Sequence, residues 1–588
     1  MGKKHAMTCV SVLLAAMHAG ASHSALGWRA TRVSTPSLRA SIICCGEKVC
    51  LYNQQADFGA ARVSGSLSVA AGSTLALDGA NGLVLYQRNE FSYVFVTPDP
   101  IPSAPGASIF AVPPTDLVAG LVLNWKGERV GGAAAHATSA PNRAAYGSLL
   151  QQKERVSPRA SLLTGITAID VLAPLGRGQS MLVIGPEDPS TSDLCIDLLV
   201  AQKGTDVATV YVAMRPEDEM VRIAERAGCV AVSSSTEGSF IASVGAAMAL
   251  AEKARDDGRH CCVVVDDLQP LRSLWKFMQH TERKMYTEKG IDDFPAIAES
   301  AVRDDASGSE LRTFYAAILE RAGVRAAAAG GGSITLLVVA RKPSMYVDAP
   351  DSAAFPLEAF DSAVYPKATL ERLRLLSQGG VKLTAAVLAK LAISSPGSHA
   401  SGGMLDARKH IDECISLADG HLVLDERLVR ASAKPPIDVR ESLSRIGLGK
   451  AVNLRSTPMA AAIRQLAPRL RLELAVASDV PTGATMTDAD RRTFAWRAVL
   501  QQQSGEPRSL AQTVFALFCA RNGFFDALHS VRSLDEASAQ AYAIVGALVQ
   551  AQPDVAARIR GDYELSAEDE RGLRASLATL ATVPAAQR

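Results

Sequence analysis

Residues 161–185 read SLLTGITAIDVLAPLGRGQSMLVIG and run straight into GPEDPSTS over 185–192; these two stretches decide the fold. An apolar strand, Met181–Ile184, ends on a glycine and gives way to a short polar loop, the setting of a phosphate-binding loop. Where G-x-x-x-x-G-K-[ST] is expected, Gly185 and Ser192 supply the first glycine and the final hydroxyl. Ser190 stands for the second glycine and Thr191 for the lysine. A working loop curls backbone N–H groups around phosphates and adds an ammonium near their oxygens. Here Glu187 and Asp188 bring negative charge instead, and Pro186 and Pro189 have no N–H to offer. The segment has the position of a nucleotide site without its main electrostatic equipment.

The 588-residue chain is too long for one core, so two to four domains are expected. Hydrophobic residues at 48% and charged residues at 21% fit a globular protein, and a net charge of +1 argues against nucleic acid as a partner. The ten cysteines show no metal spacing and read as reduced thiols. No apolar run is long enough to span a membrane. Residues 1–46 contain no Asp or Glu: a basic start, Lys3-Lys4-His5, leads into an apolar stretch and then an Arg/Ser/Thr-rich piece. This reads as a two-part leader for import into a complex plastid, with a single mitochondrial presequence as the alternative.

Outward from the loop, the chain divides by its patterning. Residues 50–132 carry short candidate strands (Ala61–Ser66, Thr74–Leu77, Leu83–Tyr86, Tyr93–Val96, Ser108–Val112, Leu117–Leu123) separated by turn residues, which predicts a small β-barrel. An Ala/Gly/Ser-rich linker follows, Gly131–Ala144. From 150 to 455 apolar strands alternate with helices, which predicts an α/β domain with a parallel sheet. Its strands are expected at Met181–Ile184, Thr209–Val212, Cys261–Val265, Ile334–Val339 and Cys414–Ala418, and insertions at about 276–308 and 343–408. Residues 456–588 show helical periodicity only and predict a helical bundle.

Several motifs along the chain carry a family resemblance. FGAARVSG (58–65), TGITAID (164–170), GRGQ (176–179), GGGSIT (330–335), ISLADG (415–420) and SLSRIG (442–447) stand in order. Together they resemble the alpha subunit of F-type ATP synthases over almost the whole chain. The resemblance implies an N-terminal small β-barrel, a central RecA-like P-loop NTPase domain with a parallel sheet, and a C-terminal α-helical bundle. It implies beta-type partners in an alternating hexamer, central rotor and peripheral stalk subunits, and membrane association only through that complex. By the same resemblance Gly185, Ser190, Thr191, Ser192 and Asp266 are the nucleotide-site residues, with Ser192 and Asp266 as Mg²⁺ ligands for ATP or ADP. The competing reading of Asp266-Asp267 is that it caps a strand and hydrogen-bonds the loop. Arg445, in SLSRIG, matches the arginine that reaches a neighbouring beta subunit's nucleotide. An intrachain ion pair is its alternative role.

The chain also departs from that family. Its loop lacks the lysine and second glycine, Met214-Arg215-Pro216-Glu217 carries no general base in register, and Gly447-Leu448-Gly449-Lys450 continues the arginine motif differently. The expected function is therefore a non-catalytic alpha-type subunit of an organellar, proton-translocating ATP synthase that lends Arg445 to beta. The alternative is a pseudo-ATPase paralogue acting outside the ring. A Rho-like translocase would want an intact loop lysine and basic or aromatic RNA contacts.

Overall fold

A computed structural model describes residues 29–33, 39–44, 47–63, 69–77, 79–102, 109–113, 116–130, 142–147, 149–288, 306–342, 355–357, 360, 367–384, 387–388, 391, 393, 403–445, 459–468, 470–476, 487–531 and 533–582. Residues 1–28 of the expected leader, 131–141 of the linker, 289–305 and 343–354 of the insertions, and 446–450 after the arginine lie outside these.

The strand that ends in the loop, β1 (Ser180–Pro186), is buried at every position. Such a strand belongs in the middle of a sheet covered on both faces. The sheet is completed by β2 (Val207–Ala213), β3 (Val230–Ser233), β4 (His260–Val265), β5 (Ser333–Lys342), β6 (Gly420–Val423) and β7 (Leu443–Ser444). Their order is β7-β6-β1-β5-β4-β2-β3, all parallel except β7, which pairs antiparallel with β6. The period-two pleat sorts side chains between two cores. Met181 and Val183 of β1, Tyr211 of β2, Val264 of β4 and Val339 of β5 enter one core. Leu182 and Ile184, Val210 and Val212, Val265 and Val338 enter the other.

The two cores join the flanking regions to the sheet. The first is shared with α1 (Ser190–Val200) and the C-terminal helices, whose Phe515, Phe518 and Leu548 are fully buried. The second is shared with the long helices Glu237–Asp256 and Gln269–Glu288 and with the N-terminal sheet through Phe58, Tyr93 and Phe95. The aromatic rings of Phe58 and Tyr93 both meet Phe277.

The N-terminal region is a seven-stranded antiparallel sheet, ordered Arg29–Val33, Arg39–Cys44, Glu47–Gln55, Phe58–Val63, Phe91–Thr97, Ala80–Arg88, Thr74–Leu77. Among the described residues no ladder joins its edge strands, so it is described as a sheet. Its first two strands fall inside the segment whose composition reads as a leader. Other expected elements sit elsewhere. Of Leu117–Leu123, assigned to the barrel, Val122–Leu123 is a strand, and it extends the central sheet beside β3. Residues 276–288, counted as inserted because they are polar, complete the helix Gln269–Glu288, which buries Phe277, Met278 and Met285. The polar composition belongs to the helix's outer side.

Cys414–Ala418, expected as a strand, instead ends the helix α2 (Gly403–Leu417), and the strand begins at Gly420. The buried positions Ile411, Cys414 and Ala418 are spaced by three and four, the helical period that an isolated apolar run hides. The helix around Leu370, Leu373 and Leu376 spans Lys367–Gln378, and its Leu373 packs in a separate small cluster with Phe360, Leu383, Leu388 and Ile393.

Gly178, in the turn before β1, has φ +88° and donates its N–H to Thr335 Oγ1 at 2.9 Å. A Cβ there would lie 2.3 Å from Val324 Cγ2 and 2.9 Å from the Gly323 backbone. Gly204 has a similar φ of +76° with open space around it. Gly178→Ala should cost about 2–4 kcal/mol and Gly204→Ala about 1 kcal/mol. Equal shifts of the thermal unfolding midpoint in the two variants would contradict this account.

Candidate functional site

At the carboxyl end of β1 the loop Glu187–Pro189 leads into α1, the place where open α/β sheets bind ligands. Thr191, at the lysine position, turns inward and is fully buried, its hydroxyl donating to the Pro186 carbonyl at 3.3 Å. A Cβ on Gly185 would come within 2.1 Å of that hydroxyl, so the glycine is required by the inward threonine. Ser190 donates its backbone N–H to Asp188 Oδ1 at 2.8 Å and its hydroxyl to the same oxygen. The positive end of the α1 dipole is thus already facing an internal carboxylate.

Ser192 and Asp266 do meet: the serine hydroxyl donates to Asp266 Oδ1 at 2.9 Å. Both are also contacted by Arg341, at the end of β5 and in register with Gly185. One of its terminal nitrogens donates to Ser192 Oγ at 2.7 Å and Asp266 Oδ1 at 3.0 Å. The other donates to the Asp266 carbonyl at 2.8 Å and lies 3.4 Å from the Asp267 carboxylate. The second Asp266 oxygen accepts from the Tyr211 hydroxyl and, at 3.1 Å, from Arg215, which also pairs with Glu219. The Asp266 side chain is only 1% exposed.

Burial and the neighbouring Asp266 raise the Tyr211 phenol far above its ordinary value. Burial opposes the Arg215 charge, but Tyr211, Glu219 and Asp266 more than offset it and hold this guanidinium firmly protonated. The donor set does not fit Mg²⁺. Both oxygens of Asp266 and the Ser192 hydroxyl are engaged by two guanidinium groups, which would repel a divalent cation. Asp266 thus closes the strand end and hydrogen-bonds the loop, with its oxygens committed to Ser192, Tyr211, Arg215 and Arg341.

Tyr211, Arg215 and Arg341 were not singled out from sequence. A signal for them existed in the pleat: Tyr211, Asp266 and Arg341 continue the parity of Ala213, Val264 and Val339, so all three belong on the α1 side. Glu217 is exposed in the first turn of the helix Glu217–Ala227, where its charge suits the helix dipole. Beside α1 lies a cavity of about 340 Å³ bordered by Ser190, Asp193, Asp197, Lys434, Gln502 and Glu506. Burial, with each other's charge in the case of Asp193, raises the carboxyls of Asp193 and Asp197. This acidic rim also disfavours a polyanion.

At the opposite end of β1 the scattered motifs converge. Gln179 accepts from the Gly176 N–H at 2.8 Å and donates to the Asp419 carbonyl at 3.2 Å and to Ser444 Oγ at 3.1 Å. Asp419 accepts from the Ser180 N–H at 3.0 Å. Arg445 donates its backbone N–H to the Asp419 carbonyl at 2.9 Å. Its exposed guanidinium rests on the Ile415 and Ser416 carbonyls at 2.7 and 3.1 Å, the negative end of α2, and not on a carboxylate.

Residues 165–353 match the nucleotide-binding domain of the ATP synthase alpha/beta family. The chain is 25% identical to the ATP synthase subunit alpha of Lawsonia intracellularis over 71% of its own length and 70% of that protein. It is 25% identical to the Wolinella succinogenes subunit alpha over 81% of each chain, and to that of Helicobacter pylori strain J99 over 73% of its length and 72% of the relative. The chain is thus similar to ATP synthase alpha subunits over most of its length.

The lead-in to β1 is held by Asp170, which accepts from the Thr164 N–H at 2.9 Å and its hydroxyl at 2.8 Å. Burial raises the Asp170 carboxyl to about 7, against the pull of hydrogen bonds from Thr164 and Gly165. The folded state therefore holds this proton more tightly than the unfolded chain, whose Asp titrates at about 3.9. The contribution is full below about pH 4 and is lost as pH rises through about 7. Among the described residues no helix is long and apolar enough to cross a membrane. Asp170→Asn should flatten the decline in stability between pH 5 and pH 8, read as urea midpoints; an unchanged slope would contradict this titration.

Proposed function

We propose that the chain is a non-catalytic alpha-type subunit of an organellar, proton-translocating ATP synthase. In this reading three copies alternate with three beta-type subunits around a central rotor, held by a peripheral stalk, and Arg445 completes nucleotide sites that belong to beta. The two-part composition of the first 46 residues, an apolar stretch and then an Arg/Ser/Thr-rich piece, favours a plastid over a mitochondrion. The observation that carries the reading is the network of Gln179, Asp419, Ser444 and Arg445, which presents an exposed guanidinium from a rigid turn.

A guanidinium suits this role through its permanent charge and planar fork of donors. Its bonds to two backbone carbonyls are weak enough to exchange for a phosphate on a neighbour, whereas a buried ion pair would not be. Hydrolysis on the chain's own loop lacks a base, since the position after β2 carries Arg215, bound to Asp266, and Pro216.

A second reading, a pseudo-ATPase paralogue outside the ring, is favoured by the internally satisfied loop. Native purification decides between them: a beta-type partner is expected, and its absence would favour the paralogue. In the assembled complex Arg445→Ala should lower ATP turnover by roughly 10³-fold or more while leaving assembly intact. Near-normal turnover in that variant would sink the finger assignment.

A further inference from the structure

The phosphate loop, Asp266 and the end of β5 form one polar cluster whose charges are all internal. Asp188 sits at the N-terminus of α1. Asp266, almost wholly buried, has every oxygen engaged. Arg341 is 21% exposed and contacts Ser192, the Asp266 side chain, the Asp266 carbonyl and Asp267. A buried carboxylate needs a cation or several donors to remain stable. In this cluster that cation is covalently part of the strand next to the loop.

We infer that Arg341 is the built-in cation of this site: it occupies both Ser192 Oγ and Asp266 Oδ1, the atoms a divalent ion would need, and loop 185–192 is complete without Mg-nucleotide. Three features agree on this. The guanidinium bridges the two groups that would have to ligate the ion. Thr191 fills the floor of the loop over Gly185 in place of an outward cation. Asp188 already receives the N–H of Ser190 at the end of α1 where a phosphate oxygen would compete for it. Opening the site would require removing Arg341 from Asp266 and leaving Arg215 as that carboxylate's remaining cationic partner.

The inference rests on reading 185–192 as a degenerate nucleotide loop but not on ring assembly or on Arg445. It is tested on the purified full chain by thermal unfolding in buffer, in millimolar MgCl₂ and in millimolar MgADP. Neither addition should move the wild-type midpoint. Arg341→Gln should lower the midpoint by roughly 5 °C or more, and MgCl₂ should then raise it. Adding Asp266→Asn to that variant should abolish the response to MgCl₂. A wild-type midpoint raised by MgADP would overturn the inference, as would an Arg341→Gln variant as stable as wild type and indifferent to MgCl₂. If Arg341→Gln does not fold, Arg341→Lys keeps the charge and loses the two-point bridge. It should unfold earlier than wild type without responding to MgCl₂; wild-type stability in this variant would count against the bridge. The wild-type titration decides the question in either case, and Arg445 activity plays no part in it.

Discussion

A parallel sheet buried on both faces leaves no neutral position for a polar side chain. Each residue at a strand's carboxyl end must lie on one side or the other, and each charge there must find a partner. Here the pleat sends Tyr211, Asp266 and Arg341 to the same side as α1, where Ser192 waits in its first turn. The sheet order β1-β5-β4 then places the last residues of β5 directly between the loop strand and the strand preceding Asp266. Any cation at position 341 would be drawn to Asp266. An arginine has both the reach and the fork to contact Ser192 and Asp266 together.

The same constraint explains the loop's chemistry as a set and not as separate losses. With a guanidinium bound to Asp266, a lysine at position 191 would add a further positive charge without a phosphate to neutralise it. A threonine folded over Gly185 costs no charge and bonds to the Pro186 carbonyl. Acidic residues then suit the loop, because Asp188 satisfies the open N–H of Ser190 at the helix end. The cluster therefore pairs its charges in place: Arg341 and Arg215 between them contact Asp266, Asp267 and Glu219.

Much of this was legible beforehand, and the misses have specific causes. The strand-loop-helix of 180–200 and the pairing of Ser192 with Asp266 follow from motif position, since a strand end and a helix start leave little freedom. Arg341 escaped because the apolar run ends at Ala340 and the strand was expected to stop at Val339, two residues short of the one that matters. Cys414–Ala418 misled because a short apolar run has the same composition in a strand and at the end of a helix; only the buried spacing of Ile411, Cys414 and Ala418 separates them. The polar segment 276–288 misled in the opposite way, as its few apolar residues are exactly those spent on the N-terminal sheet.

The loop and the exposed arginine are mechanically separable, and this is what permits one to change without the other. Both hang on β1, but at opposite ends: Gln179 and Ser180 anchor Asp419, Ser444 and Arg445 at its start, while Gly185 and Pro186 open the loop at its finish. Six residue steps at about 3.3 Å each put roughly 20 Å of strand between the two. The strand is paired with β5 along its whole length and with β6 over Leu182–Ile184, which holds its two ends at a fixed separation. The foot network around Arg445 and the cation cluster around Arg341 therefore share a strand but no side chain.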